Sequence, residues 1–285
     1  MAISQAQIEH LIAQADIQGL RAIVDELDGE VRAIVEKVIK QPLTEAKKQA
    51  ALKEVRAAVG QKDATVKQWL VTAVPLLYVA GMNAANRDAK NQHVSITGKL
   101  SFKTITVENV RDDPQYKSHL EAVNAALSES YLDFANGMNG VVRGAERVLN
   151  EALKRQIRLT TAQGQLTGSS VQEVAKEIRE LLADQGFSVL IDRGGRQWTL
   201  QRYSEMLART HLLKSSNEGT INRAGDFGID IVEVSTHSNV PDQLCLDMEG
   251  RRFSISGKSD TFPKLTLSPP FHPRCRHTLQ LIVEE

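Results

Sequence analysis

The chain has 285 residues, enough for one large domain or two modest ones, each able to bury its own core. Lys and Arg together number 35 and so do Asp and Glu, which excludes a global basic field for nucleic acid and an acidic field repelling it, so any polyanion binding is local. The only cysteines are Cys245 and Cys275, which excludes a disulfide scaffold and suits a protein made in a reducing cytoplasm, with a single bridge between the two still open.

Met1 to Asp16 has neither a basic n-region nor an apolar run of signal-peptide length. From Gln5 to about Gln163 the pattern predicts helix after helix. Ile8, Leu11, Ile12 and Ala15 recur at helical spacing, as do Ile34, Val35, Val38 and Ile39. Thr44 to Val59 is rich in Ala and Lys and has strong helix propensity; Gly60 is expected to close that element and Asp63 to open the next, which carries Val66, Trp69, Leu70, Leu77 and Tyr78. Val71 to Gly81 is too short to span a bilayer and reads as a buried helix kinked at Pro75. Between Asn91 and Val110, Val94, Ile96, Ile105 and Val107 alternate with polar residues, which predicts a loop or short hairpin. Asp113-Pro114 is a cap followed by a first-turn proline, starting a helix from Tyr116 to Ala135. A further helix from Val141 to Thr161 carries Arg143, Arg147, Lys154, Arg155 and Arg158, which read as a solvated basic face.

Gly164 and Gly168 mark a boundary. Ser170 with Glu173 forms a capping box for a helix ending at Gly186, and Phe187 to Ile191 follows as an apolar strand. Asp192 to Gly195 is a turn, and Thr199 caps a long helix running toward Ala224. From Gly228 the period changes to that of strands: Ile229 to Val234, then Phe253 and Ile255, then Thr278 to Val283. The fold class is therefore α+β, with a helical attachment region at 1–163 and a smaller α+β domain at 164–285.

The segment Pro269-Pro270-Phe271-His272-Pro273-Arg274-Cys275-Arg276-His277 excludes a helix, because proline lacks the amide donor and pushes the preceding residue to extended geometry. Pro270, His272, Pro273, Cys275, Arg276 and His277 thus form a rigid turn, and His272 with Cys275 is an H-x-x-C pair, a spacing that aims two soft ligands at one point.

This turn closes an ordered set of segments. Trp198 to Thr210, with Ala208-Arg209-Thr210, comes first; Asp230 to His237 follows; then come Cys245, Glu249-Gly250 and Phe253 to Gly257. The set resembles the phage minor capsid protein 2 family, related to Mu F-like head-morphogenesis proteins, in which an A-R-T helix precedes a V-x-x-S-x-H strand, a cysteine pair, E-G-x-x-[FY]-S and P-P-x-H-P-x-C-R-H. The likeness covers about the last ninety residues well and the helical part only in general character. It implies a low-copy virion protein, assembled in the host cytoplasm, that meets portal and capsid proteins and acts in head assembly or DNA passage, without implying catalysis. The chain departs from the pattern at Asp242, which stands where the first cysteine of the pair is usual.

Cys245, His272 and Cys275, with His237 or Asp242 as a fourth ligand, make up a candidate zinc set, although no cofactor is required. The competing readings are that the cysteines are small buried hydrophobes with histidines holding the turn, or that they form a disulfide. Arg209 reads as an internal ion-pair partner. Arg209, Ser235 and Glu249 also follow the order of an ADP-ribosyltransferase, but that resemblance lacks the usual glutamate pair and an aromatic platform. No H-E-x-x-H, G-x-S-x-G, Walker or dinucleotide motif occurs, so no catalytic residue is assigned. Finally, Arg251, Arg252, Lys258, Lys264, Arg274 and Arg276 face only Asp260 between Gly250 and Leu279, a local basic excess suited to double-stranded DNA, to an acidic portal surface or simply to solvent.

Overall fold

The computed structural model describes residues 16–96, 100–163, 168–185, 188–191, 197–237, 242–273 and 275–283. The predicted first helical residues Ile8 to Ala15, the turn at Asp192 to Gly195 and Arg274 lie outside the described residues. The elements in order are α1 (Ile17–Ile39), α2 (Glu45–Asn91), α3 (Val107–Asp112), a 3-10 turn (Pro114–Tyr116), α4 (Lys117–Gln163), α5 (Gly168–Gln185), β1 (Ser188–Ile191), β2 (Gln197–Thr199), α6 (Leu200–Asp226), β3 (Ile231–Val234), α7 (Gln243–Met248), β4 (Arg252–Ser254) and β5 (Leu279–Ile282). The chain is thus α+β, mainly helical before a small antiparallel sheet. Among the described residues no helix is long and apolar enough to cross a membrane.

Two compact units are each assembled from segments on both sides of residue 164. One contains 18–69 and 131–205. Its α1 buries Leu20, Val24, Leu27, Val31, Val35 and Ile39, a stripe at the helical repeat. From α2 come Leu52, Val55, Val66 and Trp69, from α4 Val141, Ala145 and Leu149, and from α5 Val174, Ile178 and Leu182. The Trp69 and Phe134 rings meet at 6.1 Å. Gln156 holds the α1–α2 connection, its Oε1 accepting from the Leu43 amide at 2.8 Å. Arg155, from the predicted basic face, pairs with Glu151 and Glu177.

The other unit contains 70–130 and 206–285. In its sheet β3 lies between β4 and β5, both antiparallel to it. The register sets Val232 beside Phe253 and Leu281, and Val234 beside Leu279, so one face is apolar and joins Phe271 and Met248 in a core. The alternate position pairs Glu233 with Arg252 at 2.9 Å. The three strands fall where the alternating pattern predicts them.

Several sequence expectations need correction. Gly60 does not close a helix and Asp63 does not open one; α2 runs from Glu45 through Gly60 and Pro75 to Asn91. The buried positions Val55, Val59 and Val66 continue across Gly60, and packing of that stripe outweighs glycine's cost of about 1 kcal/mol. The helices predicted at Tyr116 to Ala135 and Val141 to Thr161 are likewise one helix, α4, in which Gly137 accepts the Tyr203 ring where a Cβ would lie only 2.8 Å from it. Helix α5 starts at Gly168 rather than at Ser170. The loop or short hairpin predicted between Asn91 and Val110 is loop over the described residues 92–96 and 100–106, where helical side chains take the place of a partner strand, and it gives way to α3 at Val107. Asn83 brackets Ile105, donating to its carbonyl at 2.9 Å and accepting from its amide at 2.8 Å, while Asn86 donates to the Lys103 carbonyl and Arg223 to that of Ser101. Asp113 does cap the following turn, accepting from the Gln115 amide, and Thr199 caps α6 by accepting from Arg202.

Helices α2 and α6 meet backbone to backbone within this unit. A Cβ on Gly81 would lie 1.8 Å from the Ser216 carbonyl oxygen, and one on Gly219 would lie 2.1 Å from that of Tyr78. Gly81→Ala must therefore push the helices apart and should cost at least about 3 kcal/mol, the upper end of overpacking penalties. Gly60→Ala, with nothing within 4 Å of the added methyl, should instead gain about 0.5–1 kcal/mol. Denaturant titration of the two variants checks both signs.

Arg223, 1% exposed, is the centre of a polar network in the same unit. It donates to Asn86 and to Asp226, and Asp226 also pairs with His119 at 2.9 Å. His119 in turn meets the Tyr78 hydroxyl at 3.0 Å, and burial pushes that hydroxyl well above its usual pKa, keeping it a donor. Burial tends to raise the pKa of Asp226, but hydrogen bonds from His119 and Arg223 hold it below its ordinary value. Asp226→Asn should cost about 2–3 kcal/mol at neutral pH by leaving the buried guanidinium unbalanced. Because the folded-state pKa is depressed, this contribution is complete above the unfolded value and vanishes as pH falls through the folded one. The stability gap between wild type and variant should therefore narrow below about pH 4.

Candidate functional site

Strand β3 ends at Val234, and Ser235 extends its pairing to the segment before β5: its amide donates to the Thr278 carbonyl and its hydroxyl accepts from the Thr278 amide, each at 2.9 Å. Asp242 then caps α7 by accepting from the Cys245 amide at 3.2 Å, and this short helix carries the fully buried Cys245 inward. Gly250, at φ +66°, turns the chain into β4 while its amide donates to the Val234 carbonyl.

The proline-rich segment approaches from the other side. The Pro269-Pro270 bond is cis, and the Cys275 amide donates to the His272 carbonyl at 3.0 Å, closing a tight turn. His272 Nδ1 lies 2.7 Å from the Pro273 carbonyl, and Cys275 is buried with its Sγ 3.9 Å from that of Cys245. Both cysteines are free thiols. Cys245, His272 and Cys275 converge, one potential ligand atom from each lying within 4.8 Å of the others, an arrangement able to hold a soft metal ion. Burial first, and then the neighbouring Cys275, push the Cys245 thiol up to about 12.

A carboxylate–imidazole cluster adjoins the sulfurs. His277 points Nδ1 at Cys275 Sγ, 3.3 Å away, and Nε2 at Glu249 Oε1, 2.8 Å away. The same carboxylate oxygen accepts from the His237 amide at 2.9 Å. Burial opposes ionisation of Glu249, yet the bonds from His277 and the His237 amide hold its pKa below the usual carboxylate value. The His237 ring stands edge-on to that of His277 at 4.9 Å, with its Nε2 3.0 Å from the Ser235 hydroxyl. Burial, and then the nearby His277, lower its pKa.

The structure thus gathers His272, Cys245 and Cys275, whereas the carboxylate of Asp242 is occupied as a helix cap and His237 Nε2 meets Ser235. Ser235 and Glu249, singled out as transferase-like, are members of the hydrogen-bonded histidine cluster, and Arg209 is half-buried on α6. Of the basic residues, Arg251, Arg252, Lys258, Lys264 and Arg276 are exposed; Arg252 pairs with Glu233, and Arg251 lies over the Phe253 ring at 5.5 Å.

Sequence reasoning missed Asn217. This α6 side chain, 1% exposed, donates to the Pro269 carbonyl at 2.9 Å and accepts from the Leu279 amide at 3.1 Å, fixing both the turn and β5. The signal available was a polar residue in step with Leu213, Thr220 and Ala224 on the buried stripe of α6.

A family model described as phage minor capsid protein 2 matches residues 101–284, well over half of the chain, and that span holds all the site residues named above. No curated protein and no solved structure is matched.

Asn217→Ala strips hydrogen-bond partners from two buried backbone groups and should cost about 2–4 kcal/mol in denaturant unfolding. Proteolysis in the variant should begin within 255–278, the segment that Asn217 anchors.

Proposed function

Because this chain belongs to the phage minor capsid protein 2 family, structural components of the bacteriophage virion, we propose that it is assembled in the host cytoplasm into the portal vertex of the head. Its role there is mechanical. The family match carries this reading, and the site agrees with it. The buried hydrogen bonds of Glu249, Ser235 and Asn217 go to backbone and histidine partners that lock the chain's own turn. The contact surface is read as the exposed cations just before β4 and along the segment leading back to β5, chiefly Arg251, Lys258, Lys264 and Arg276. In an otherwise charge-balanced chain this local excess suits an acidic portal surface, and it neutralises phosphates of packaged DNA without reading sequence.

The test is copurification from assembled heads. The wild-type chain should travel with the portal complex after capsid disruption at low salt and separate from it at high salt. Arg251→Glu, Lys258→Glu, Lys264→Glu and Arg276→Glu combined should abolish copurification while leaving the melting temperature within a few degrees. Heads that lack the wild-type chain would defeat the portal reading, and undiminished recovery of the charge-reversed chain would defeat the basic contact.

A further inference from the structure

We propose that Cys245, Cys275, His272 and His277 bind one zinc ion as a closed structural site, and that Glu249 is a positioning residue that presents His277 to it.

Two of the ligand separations match those of a tetrahedron. Ligands at zinc bond lengths of about 2.3 Å for sulfur and 2.0–2.1 Å for nitrogen sit about 3.8 Å apart for two sulfurs and about 3.5 Å apart for sulfur and nitrogen. The observed separations are 3.9 Å between the two Sγ atoms and 3.3 Å from Cys275 Sγ to His277 Nδ1. One nitrogen of His272 lies within 4.8 Å of both sulfurs. Two thiolates and two imidazoles select zinc over hard cations, which prefer oxygen.

The proton positions favour coordination as well. Glu249 Oε1 lies 2.8 Å from His277 Nε2, so that nitrogen donates to the carboxylate and Nδ1, 3.3 Å from Cys275 Sγ, is left to turn a lone pair toward it. A metal-bound histidine commonly has a carboxylate on its far nitrogen in this way. In His272, Nδ1 donates to the Pro273 carbonyl at 2.7 Å, which leaves the lone pair on Nε2. His237 and Asp242 are set aside by their own contacts, the former to Ser235 and the latter to the α7 amide.

The site also has structural work to do. It would join α7, the proline-rich turn and the entry to β5, which are linked by the long stretch 255–271 in which the only strand-like pairing among the described residues is the single bridge from Ser254 to Lys264. Burial of Cys245, Cys275 and His277 makes the site closed rather than catalytic.

The experiment uses the full untagged chain and does not depend on where it resides in a particle, so its outcome is separate from that of the portal reading. After equilibration with zinc and gel filtration, elemental analysis should find about one zinc per chain. A strong chelator should lower the melting temperature, and zinc should restore it. Cobalt(II) in place of zinc should give tetrahedral d–d bands with thiolate charge transfer, a readout on wild-type protein that survives if variants fail to fold. In a chelator-competition assay, Glu249→Gln should weaken zinc binding about 10- to 100-fold, and His277→Ala should weaken it further. Zinc at buffer level, a cobalt spectrum without thiolate bands, or recovery of Cys245 and Cys275 as a disulfide would overturn the site. Unchanged zinc affinity in Glu249→Gln would overturn the role given to that carboxylate.

Discussion

Everything in the sheet-bearing unit depends on how closely two helices approach. At Gly81 and Gly219 the backbones of α2 and α6 come nearer than any side chain would permit, and the hydroxyls of Ser215 and Thr220 bond the carbonyls of Val74 and Gly81 across the seam. Small residues there let main chains pack directly and turn the rest of α6 into a fixed platform. From it Asn217 reaches the proline-rich turn and β5, Asn222 the Tyr78 hydroxyl, and Arg223 the irregular segment after α2. A wider crossing would break all of these contacts together, since each is a hydrogen bond with a reach of about 3 Å.

The platform explains how so much irregular backbone is tolerated. Segments 100–106 and 255–278 contribute few residues to strands, yet their amides and carbonyls still need partners where they run close to the core. Side chains supply them. Asn83, Asn86 and Arg223 do so for the first segment, and Asn217 and Ser235 for the second. The result is a small core under a polar scaffold, in which Thr278 Oγ1 is the one buried side-chain nitrogen or oxygen among the described residues that lacks a hydrogen-bond partner.

The strands of the sheet were legible because their period is local: Ile231, Val232 and Val234 alternate or run together, and Gly228 at φ +68° stops α6 just before them. Helix lengths were not legible. Gly60 and the break between Ala135 and Val141 look like stops, but what decides continuation is whether the buried stripe carries on beyond them, which depends on partners distant in sequence. The H-x-x-C pair was legible as a convergence of soft ligands, because the prolines enforce it within a few residues. The Glu249–His277 contact spans 28 positions and has no local signature, so Glu249 pointed toward transferase chemistry when its carboxylate is in fact bonded to a histidine and a backbone amide. Asn217 was hidden for a related reason: mid-helix asparagine reads as tolerated polarity until the carbonyl it serves is known.

Asp242 shows how a departure from a motif can be absorbed. A cysteine at this position would offer a thiolate but would be a poor helix cap; aspartate gives up the sulfur and takes on the otherwise unpaired amide of Cys245, holding the first turn of a six-residue helix that has little stability of its own. On the other side of the sulfur pair stands a histidine, His277, whose far nitrogen is engaged by Glu249. Glu249 itself ends α7, its amide donating to the Cys245 carbonyl. One short helix therefore sets both a sulfur and the carboxylate that bonds the His277 imidazole, although the pattern that would announce the cluster in the sequence is incomplete.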